Sequence, residues 1–230
     1  MRFVVLGRGK TGALVAEVAK ERGHEVRVLT GAENPGGSAL TPEALANVDV
    51  AIDFTTPQAV VPNIIGCMQA KTPMVVGTTG WYDKLPMVRD LVRESSGSLL
   101  YAPNFSVGVN VFFEAARAAA AALRYDYAAH IVERHHAGKK DAPSGTAARL
   151  QEIIKEAGGK ELEITSIREG DVVGTHVMLF DSPNDTMMFT HDAKSRRGFA
   201  VGAVIAAEWL PGKTGVFQFK DVLLLSGPSK

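Results

Sequence analysis

Residues 2–12 read RFVVLGRGKTG, an apolar run that breaks into glycines and then leads into a helical pattern. RFVVL has the length and composition of a buried strand. After the turn, Ala13, Val15, Ala16 and Ala19 are spaced as one apolar helix face that ends near Gly23. Strand, glycine turn and helix in this order give G-x-G-x-x-G its meaning as a pyrophosphate cradle. The glycines let the backbone approach the anion, and the unpaired N–H groups of the first helical turn face it. Gly7, Arg8, Gly9, Lys10, Thr11 and Gly12 are therefore the candidate dinucleotide ligands. The plain alternative is a tight turn with no ligand.

Working outward, the first hundred residues keep the rhythm of a parallel sheet covered by helices. Strands are expected at 25–29, 48–54, 73–76 and 99–101, with a helix over about 58–70 and a Gly/Pro/Asn-rich stretch at 30–37. An acidic residue about 20 positions beyond the glycines usually binds the ribose hydroxyls of NADH. Thr30 stands there instead. Glu33 could reach in from the loop, and Arg8 and Lys10 could meet a 2′-phosphate, so NADPH and NADH both stay open. Ligands of open parallel sheets bind beyond the carboxyl ends of the strands. That rule adds Gly77, Thr78 and Thr79, and Ala102, Pro103, Asn104 and Phe105, as candidate cofactor contacts, although each group alone reads as an ordinary turn.

From residue 127 strands outnumber helices, at 128–133, 161–168, 172–180 and 185–190, with one helix at 144–157. This implies a second, α+β domain, in which the last three strands would form an antiparallel meander joined by short polar turns. The expected domains are 1–105 plus 197–230 and 106–196. The tail is expected to be helical to Trp209, to turn at Pro211 and Gly212, and to end in a strand over 222–225.

Chemistry concentrates in residues 133–147, ERHHAGKKDAPSGTA. His135, His136 and Lys139 offer protons at the end of a strand, where the chain turns. Ser144 then stands as an N-cap, and small Ser144, Gly145 and Thr146 leave N–H groups and hydroxyls open to an anion. A capped surface helix would explain Ser144 but not the three proton donors before it. A metal is not expected, because neighbouring residues on a strand face opposite ways and no Cys or further His stands at zinc-like spacing. His24, His130, His176 and His191 join no pattern, and Cys67 reads as a packed thiol within an apolar helix.

Composition narrows the function classes. The 230 residues carry 25 Lys plus Arg against 25 Asp plus Glu, so the basic footprint that nucleic acid or anionic membrane demands is missing. The most apolar run, 107–123, is broken by Asn110, Glu114 and Arg117 and is shorter than the ~20 apolar residues of a membrane span. One cysteine excludes an internal disulfide and, with no secretory signal after Met1, makes the cytoplasm the expected compartment.

The ordered set of motifs resembles the dihydrodipicolinate reductase family over nearly the whole chain. The most specific piece is E-x-H-H-x-x-K-x-D-A-P-S-G-T-A, complete from Glu133 to Ala147. Asp53-Phe54-Thr55, Gly77-Thr78-Thr79-Gly80, the run from Asn104 to Asn110, and Arg168-Glu169-Gly170-Asp171 leading to Gly174 and His176 support it. One departure is Leu6, which stands where the family's G-x-x-G-x-x-G loop has its first glycine.

The resemblance implies a Rossmann dinucleotide-binding domain and a substrate-binding α+β domain that assembles a homotetramer. It implies NAD(P)H-dependent reduction of a small cyclic dicarboxylate in diaminopimelate and lysine biosynthesis. His135 and Lys139 would be catalytic, and His136, Ser144, Gly145 and Thr146 would bind substrate. Two alternatives are a redox-sensing NAD(P)-binding regulator, which would not need the complete His-His-Lys set, and a reductase of another small dicarboxylate, which substrate profiling would distinguish.

Overall fold

The computed structural model describes residues 1–223, and the chain divides into two compact units. One comprises Met1–Ser106 and the chain from Arg197 onward, the other Val107–Arg196. In chain order the first stretch holds β1 (Arg2–Leu6), α1 (Lys10–Glu21), β2 (Glu25–Leu29), α2 (Pro42–Leu45), β3 (Val50–Asp53), α3 (Pro57–Gln69), β4 (Met74–Val76), α4 (Leu85–Ser95) and β5 (Ser98–Tyr101). The second unit holds α5 (Val107–Ala119), β6 (Ala128–His135), α6 (Gly145–Gly158), β7 (Glu163–Arg168), β8 (Thr175–Asp181) and β9 (Thr186–Asp192). α7 (Arg197–Trp209), β10 (Gly215–Gln218) and α8 (Phe219–Val222) complete the first unit.

The first unit is a parallel sheet in the order β10-β5-β4-β3-β1-β2. Its central strands are buried on both faces, so their runs are apolar nearly throughout, with Asp53 at the end of β3 a buried exception. Alternate residues serve opposite cores. Phe3, Val5 and Ile52 pack with Val15 and Ala19 of α1 and Ala203 and Ala207 of α7. Val4, Leu6 and Ala51 pack with Val60 and Ile64 of α3 and Val88 of α4. On α1 the buried stripe is Gly12, Val15, Ala16, Val18 and Ala19, whereas Ala13 is exposed, one step off the expected face. β2 and β3 flank β1, so the strand order reverses there and opens a crevice beyond the ends of β1 and β3.

The expected strand over 222–225 is corrected. The pairing strand is β10, parallel to β5, and Val222 ends α8, while Leu224 and Leu225 lie outside the described residues. A reciprocal capping box explains the switch. Gln218 accepts from the third helical N–H, and Asp221 accepts from the Gln218 N–H at 2.7 Å.

The second unit is a sheet ordered β7-β6-β8-β9, with α5 and α6 packed on one face. The expected meander fails at its first turn, because β6 lies between β7 and β8 and pairs with β7 in parallel. The 14 residues of α6 carry the chain back along the sheet, so β7 starts at the same end as β6. Burial decides the order. β6 buries Ile131, Glu133 and His135 and takes an interior place, whereas every second residue of β7 is exposed, as suits an edge.

Candidate functional site

The first candidate region is the crevice beside β1. Gly7 has φ +95°, and a Cβ there would drive into the carbonyl oxygen of Phe54. A Cβ on Gly12 would meet the carbonyl oxygen of Gly7. Only glycine allows this close approach of turn, helix and neighbouring strand. Gly9 is the N-cap of α1 and offers no side chain to the first-turn N–H groups, so that helix start stays open to an anion. A cleft of about 310 Å³ runs from Gly9, Lys10 and Thr11 to Thr55, Gly77 and Thr79. A second, also of about 310 Å³, runs from Gly7 and Arg8 to Thr30 and Asn34. The residues present fit a bound dinucleotide pyrophosphate.

Several expected contacts are placed differently from one another. Thr78 is buried and turns its hydroxyl to Asp53 Oδ1 at 2.5 Å, so only its backbone remains for a ligand. Phe105 is 2% exposed and stacks on Phe219 at 5.2 Å between ring centroids, and its ring belongs to the core. Ala102 is buried, Pro103 is exposed, and Asn104 Oδ1 accepts from the Ser106 N–H at 2.8 Å. Glu33 folds back onto the end of β2, where its carboxylate accepts from the Thr30 N–H at 2.8 Å and the Thr30 hydroxyl at 2.7 Å. These hydrogen bonds, with the charges of Arg27 and Arg8, hold the Glu33 carboxyl below the usual carboxylate range. An acid therefore does stand at the end of β2, supplied by the loop.

The second region lies in the other unit, where β6 ends. Glu133 and His135 are two positions apart on one strand and share its inner face. Glu133 is fully buried and its carboxylate is shared among several donors. Oε1 receives Arg168 Nη2 at 2.7 Å and the Ser144 N–H at 3.3 Å, and Oε2 receives His135 Nδ1. Burial alone would raise this carboxyl, but the hydrogen bonds from Arg168, Ser166 and His135 outweigh it and bring it to about 2. His135 sits lower than an ordinary histidine because burial outweighs the pull of Glu133. At pH 7 it is neutral, with its proton on Nδ1 facing Glu133 and a lone pair on Nε2.

Ser144 caps α6, its Oγ accepting from the Ala147 N–H at 3.2 Å. The same oxygen is 3.0 Å from His176 Nε2. The Ser144 hydroxyl is thus engaged inside the protein, and Gly145 and Thr146 are left to present N–H groups and a hydroxyl to an anion. His136 is half-buried beyond the strand end. Lys139 follows in a turn closed by its own N–H on the His136 carbonyl at 3.1 Å, and its Nζ rests on exposed Asp141 at 2.8 Å. An exposed pair of this kind contributes little and is readily exchanged for another anion.

Sequence reasoning left His176 without a role and missed that Glu133 and Arg168 hold His135. His176 lies on β8 opposite Glu133, its ring 5.1 Å from that of His135, and burial pushes it down to about 4. No spacing rule reaches across two strands, so only the fold could supply this partner. Glu133, His135 and His176 bring metal-type ligand atoms within 4.8 Å of one another. The donor set does not fit a cation, because both Glu133 oxygens already carry hydrogen bonds and the Arg168 guanidinium occupies the place of a positive ion.

Residues 1–105 match the family model described as dihydrodipicolinate reductase, N-terminus, and residues 108–223 that described as dihydrodipicolinate reductase, C-terminus. The chain is 40% identical to the 4-hydroxy-tetrahydrodipicolinate reductase of Christiangramia forsetii over 239 aligned residues, covering 97% of this chain and 98% of the relative. It is 34% identical to the enzyme of that name from Neisseria meningitidis serogroup B over 267 aligned residues, covering 98% of each. Among solved structures, dipicolinate-bound dihydrodipicolinate reductase from Paenisporosarcina sp. TG-14 shares the fold. Its TM-score is 0.79 at 23% identity, covering 95% of this chain and 97% of that one. The chain belongs to the dihydrodipicolinate reductase family.

Proposed function

From membership of that family, we propose that this NAD(P)H-dependent oxidoreductase reduces 4-hydroxy-tetrahydrodipicolinate to tetrahydrodipicolinate in diaminopimelate and lysine biosynthesis. The observation that carries the reading is the folded form of residues 133–147, where a buried Glu133–His135 pair and Lys139 flank the capped start of α6. When bound at Gly7–Gly12, the nicotinamide dinucleotide supplies the hydride. As hydride and proton add to the ring the 4-hydroxyl leaves as water, and the chain's own residues have two tasks, to hold a dianion and to deliver the proton.

The N–H groups of Gly145 and Thr146, the Thr146 hydroxyl and His136 hold a carboxylate, and Ser144 supports that seat from within. Lys139 gives up Asp141 for the substrate and delivers the proton from Nζ. His135, neutral at pH 7, offers a lone pair on Nε2 and orients the group it meets. Both dinucleotides serve. Glu33 on Thr30 favours the ribose diol of NADH, and nearby Arg8 gives the 2′-phosphate of NADPH a counter-ion. The working form is a cytoplasmic homotetramer built through the outer face of the β6–β9 sheet.

A coupled assay that generates the substrate in place and follows NADH or NADPH consumption tests the proposal. Turnover with this substrate is expected. Lys139→Ala should lower kcat by the ~10²- to 10⁴-fold typical of a lost general acid while dinucleotide affinity holds. No turnover in the wild type, or near-normal turnover in folded Lys139→Ala, would overturn the assignment.

A further inference from the structure

Asp53, the last residue of β3, is a fully buried carboxylate whose partners are all uncharged. Its Oδ1 accepts from the Thr55 N–H at 3.0 Å, the Thr55 hydroxyl at 2.8 Å and the Thr78 hydroxyl at 2.5 Å. Its Oδ2 accepts from Asn63 Nδ2 at 2.7 Å. The network continues through two side chains. Asn63 Oδ1 accepts from Asn34 Nδ2 at 2.8 Å, and Asn34 Oδ1 accepts from the Ala39 N–H at 3.0 Å. Taking a carboxyl group wholly out of water is expensive, so a residue kept there needs a reason beyond filling space.

The direction of the hydrogen bonds supplies it. A backbone N–H can only donate, and Asp53 accepts in every hydrogen bond it makes, so Ala39 and Asp53 fix both asparagine amides between them in one orientation. The linked residues come from the loop after β2 (Asn34), the end of β3 (Asp53 and Thr55), α3 (Asn63) and the loop after β4 (Thr78). Asn34, Thr55 and Asn63 line the cleft at the end of β2, and Thr55 and Thr78 line the one beside Lys10. One acceptor therefore ties together the loops at both ends of the crevice.

We propose that Asp53 is a positioning residue for the dinucleotide, whose acceptor-only carboxylate sets the polarity of the Ala39–Asn34–Asn63–Asp53 network and so fixes the cleft before the cofactor arrives. This rests on reading the crevice as the dinucleotide seat, and NADH titration of the wild type tests that reading alone. Asp53→Asn preserves size but turns one acceptor into a donor opposite the Asn63 amide. It should raise the calorimetric Kd for NADH by about tenfold or more, the scale of one or two disrupted buried hydrogen bonds, with the loss falling on KM and not on kcat.

The double variant Asp53→Asn/Asn63→Asp reverses the pair and restores consistent donors and acceptors from Ala39 to Thr78. Its Kd should return to within about threefold of the wild type. A purely structural role would lower the melting temperature of Asp53→Asn while leaving NADH affinity of the folded protein unchanged, and that result overturns the proposal. A folded double variant that binds NADH tenfold more weakly than the wild type does the same. If Asp53→Asn alone fails to fold, the double variant decides.

Discussion

The hydroxyl of Ser144, at the start of α6, stands 3.0 Å from Nε2 of His176, in the middle of the sheet and 32 positions along the chain. Because Ser144 also caps α6 and gives its N–H to Glu133, the helix start, the histidine pair and the buried carboxylate form one polar cluster. A disturbance at any member reaches the proposed substrate seat.

His176 makes stability depend on pH over a defined window. Unfolded, it takes a proton near 6.5; folded, it resists until about 4. Between these values the unfolded chain binds more protons, so stability is complete above about 6.5 and falls as pH drops toward 4, by up to the order of 3 kcal/mol. His135 acts in the same direction. Glu133 acts lower, its contribution being present above 4.5 and lost as pH falls toward 2. Urea midpoints at pH 7 and pH 5 should differ in the wild type and differ less in His176→Phe, where only His135 is left to act; a pH-independent wild-type midpoint would contradict the assignment.

Gly174 keeps the Nε2 edge of His135 clear. A Cβ at this position would lie 2.9 Å from His135 Nε2, closer than such contacts occur. Gly174→Ala should displace the imidazole and lower kcat by at least about tenfold, since misplacing a catalytic group by a fraction of an ångström is costly. NADH affinity should not change. Wild-type kinetics in this variant would mean that Nε2 takes no part in turnover.

Removing the Glu33 charge should change cofactor choice. Glu33→Gln keeps an acceptor near Thr30 but no longer repels a 2′-phosphate, so the kcat/KM ratio of NADPH over NADH should rise by about several-fold. An unchanged ratio would place the ribose away from the end of β2.

The outer face of the second sheet tests assembly. Register pairs Val177 with Thr190 and Leu179 with Met188, and Met188 is 68% exposed. Strand alternation alone would put Val177, Leu179, Met187 and Phe189 on one apolar face, but the register turns Met187 and Phe189 inward to Phe180 and Met178, where they pack in the core. Met188→Asp should reduce the mass seen by light scattering, since a charge buried in an interface has no partner there. A tetramer that survives the change would move the interface elsewhere.

Local sequence determined much of this protein. The RFVVL strand, the glycine turn and α1 are written in one consecutive stretch, Arg2 to Glu21, and the capping pattern at Ser144 specifies the start of α6 without outside help. Glu133 and His135 share a face because strand side chains alternate with period two. What local pattern could not supply was anything that depends on which strands become neighbours. A 14-residue helix between β6 and β7 allows a parallel return, but the burial of β6 decides that it lies between β7 and β8, and that choice brings His176 to Ser144 and Gly174 to His135. The same holds for Asp53, whose donors come from three segments, the loop after β3, α3 and the loop after β4. Spacing along a chain encodes contacts within one strand or helix; contacts between elements follow from packing, which satisfies every buried donor and acceptor at once.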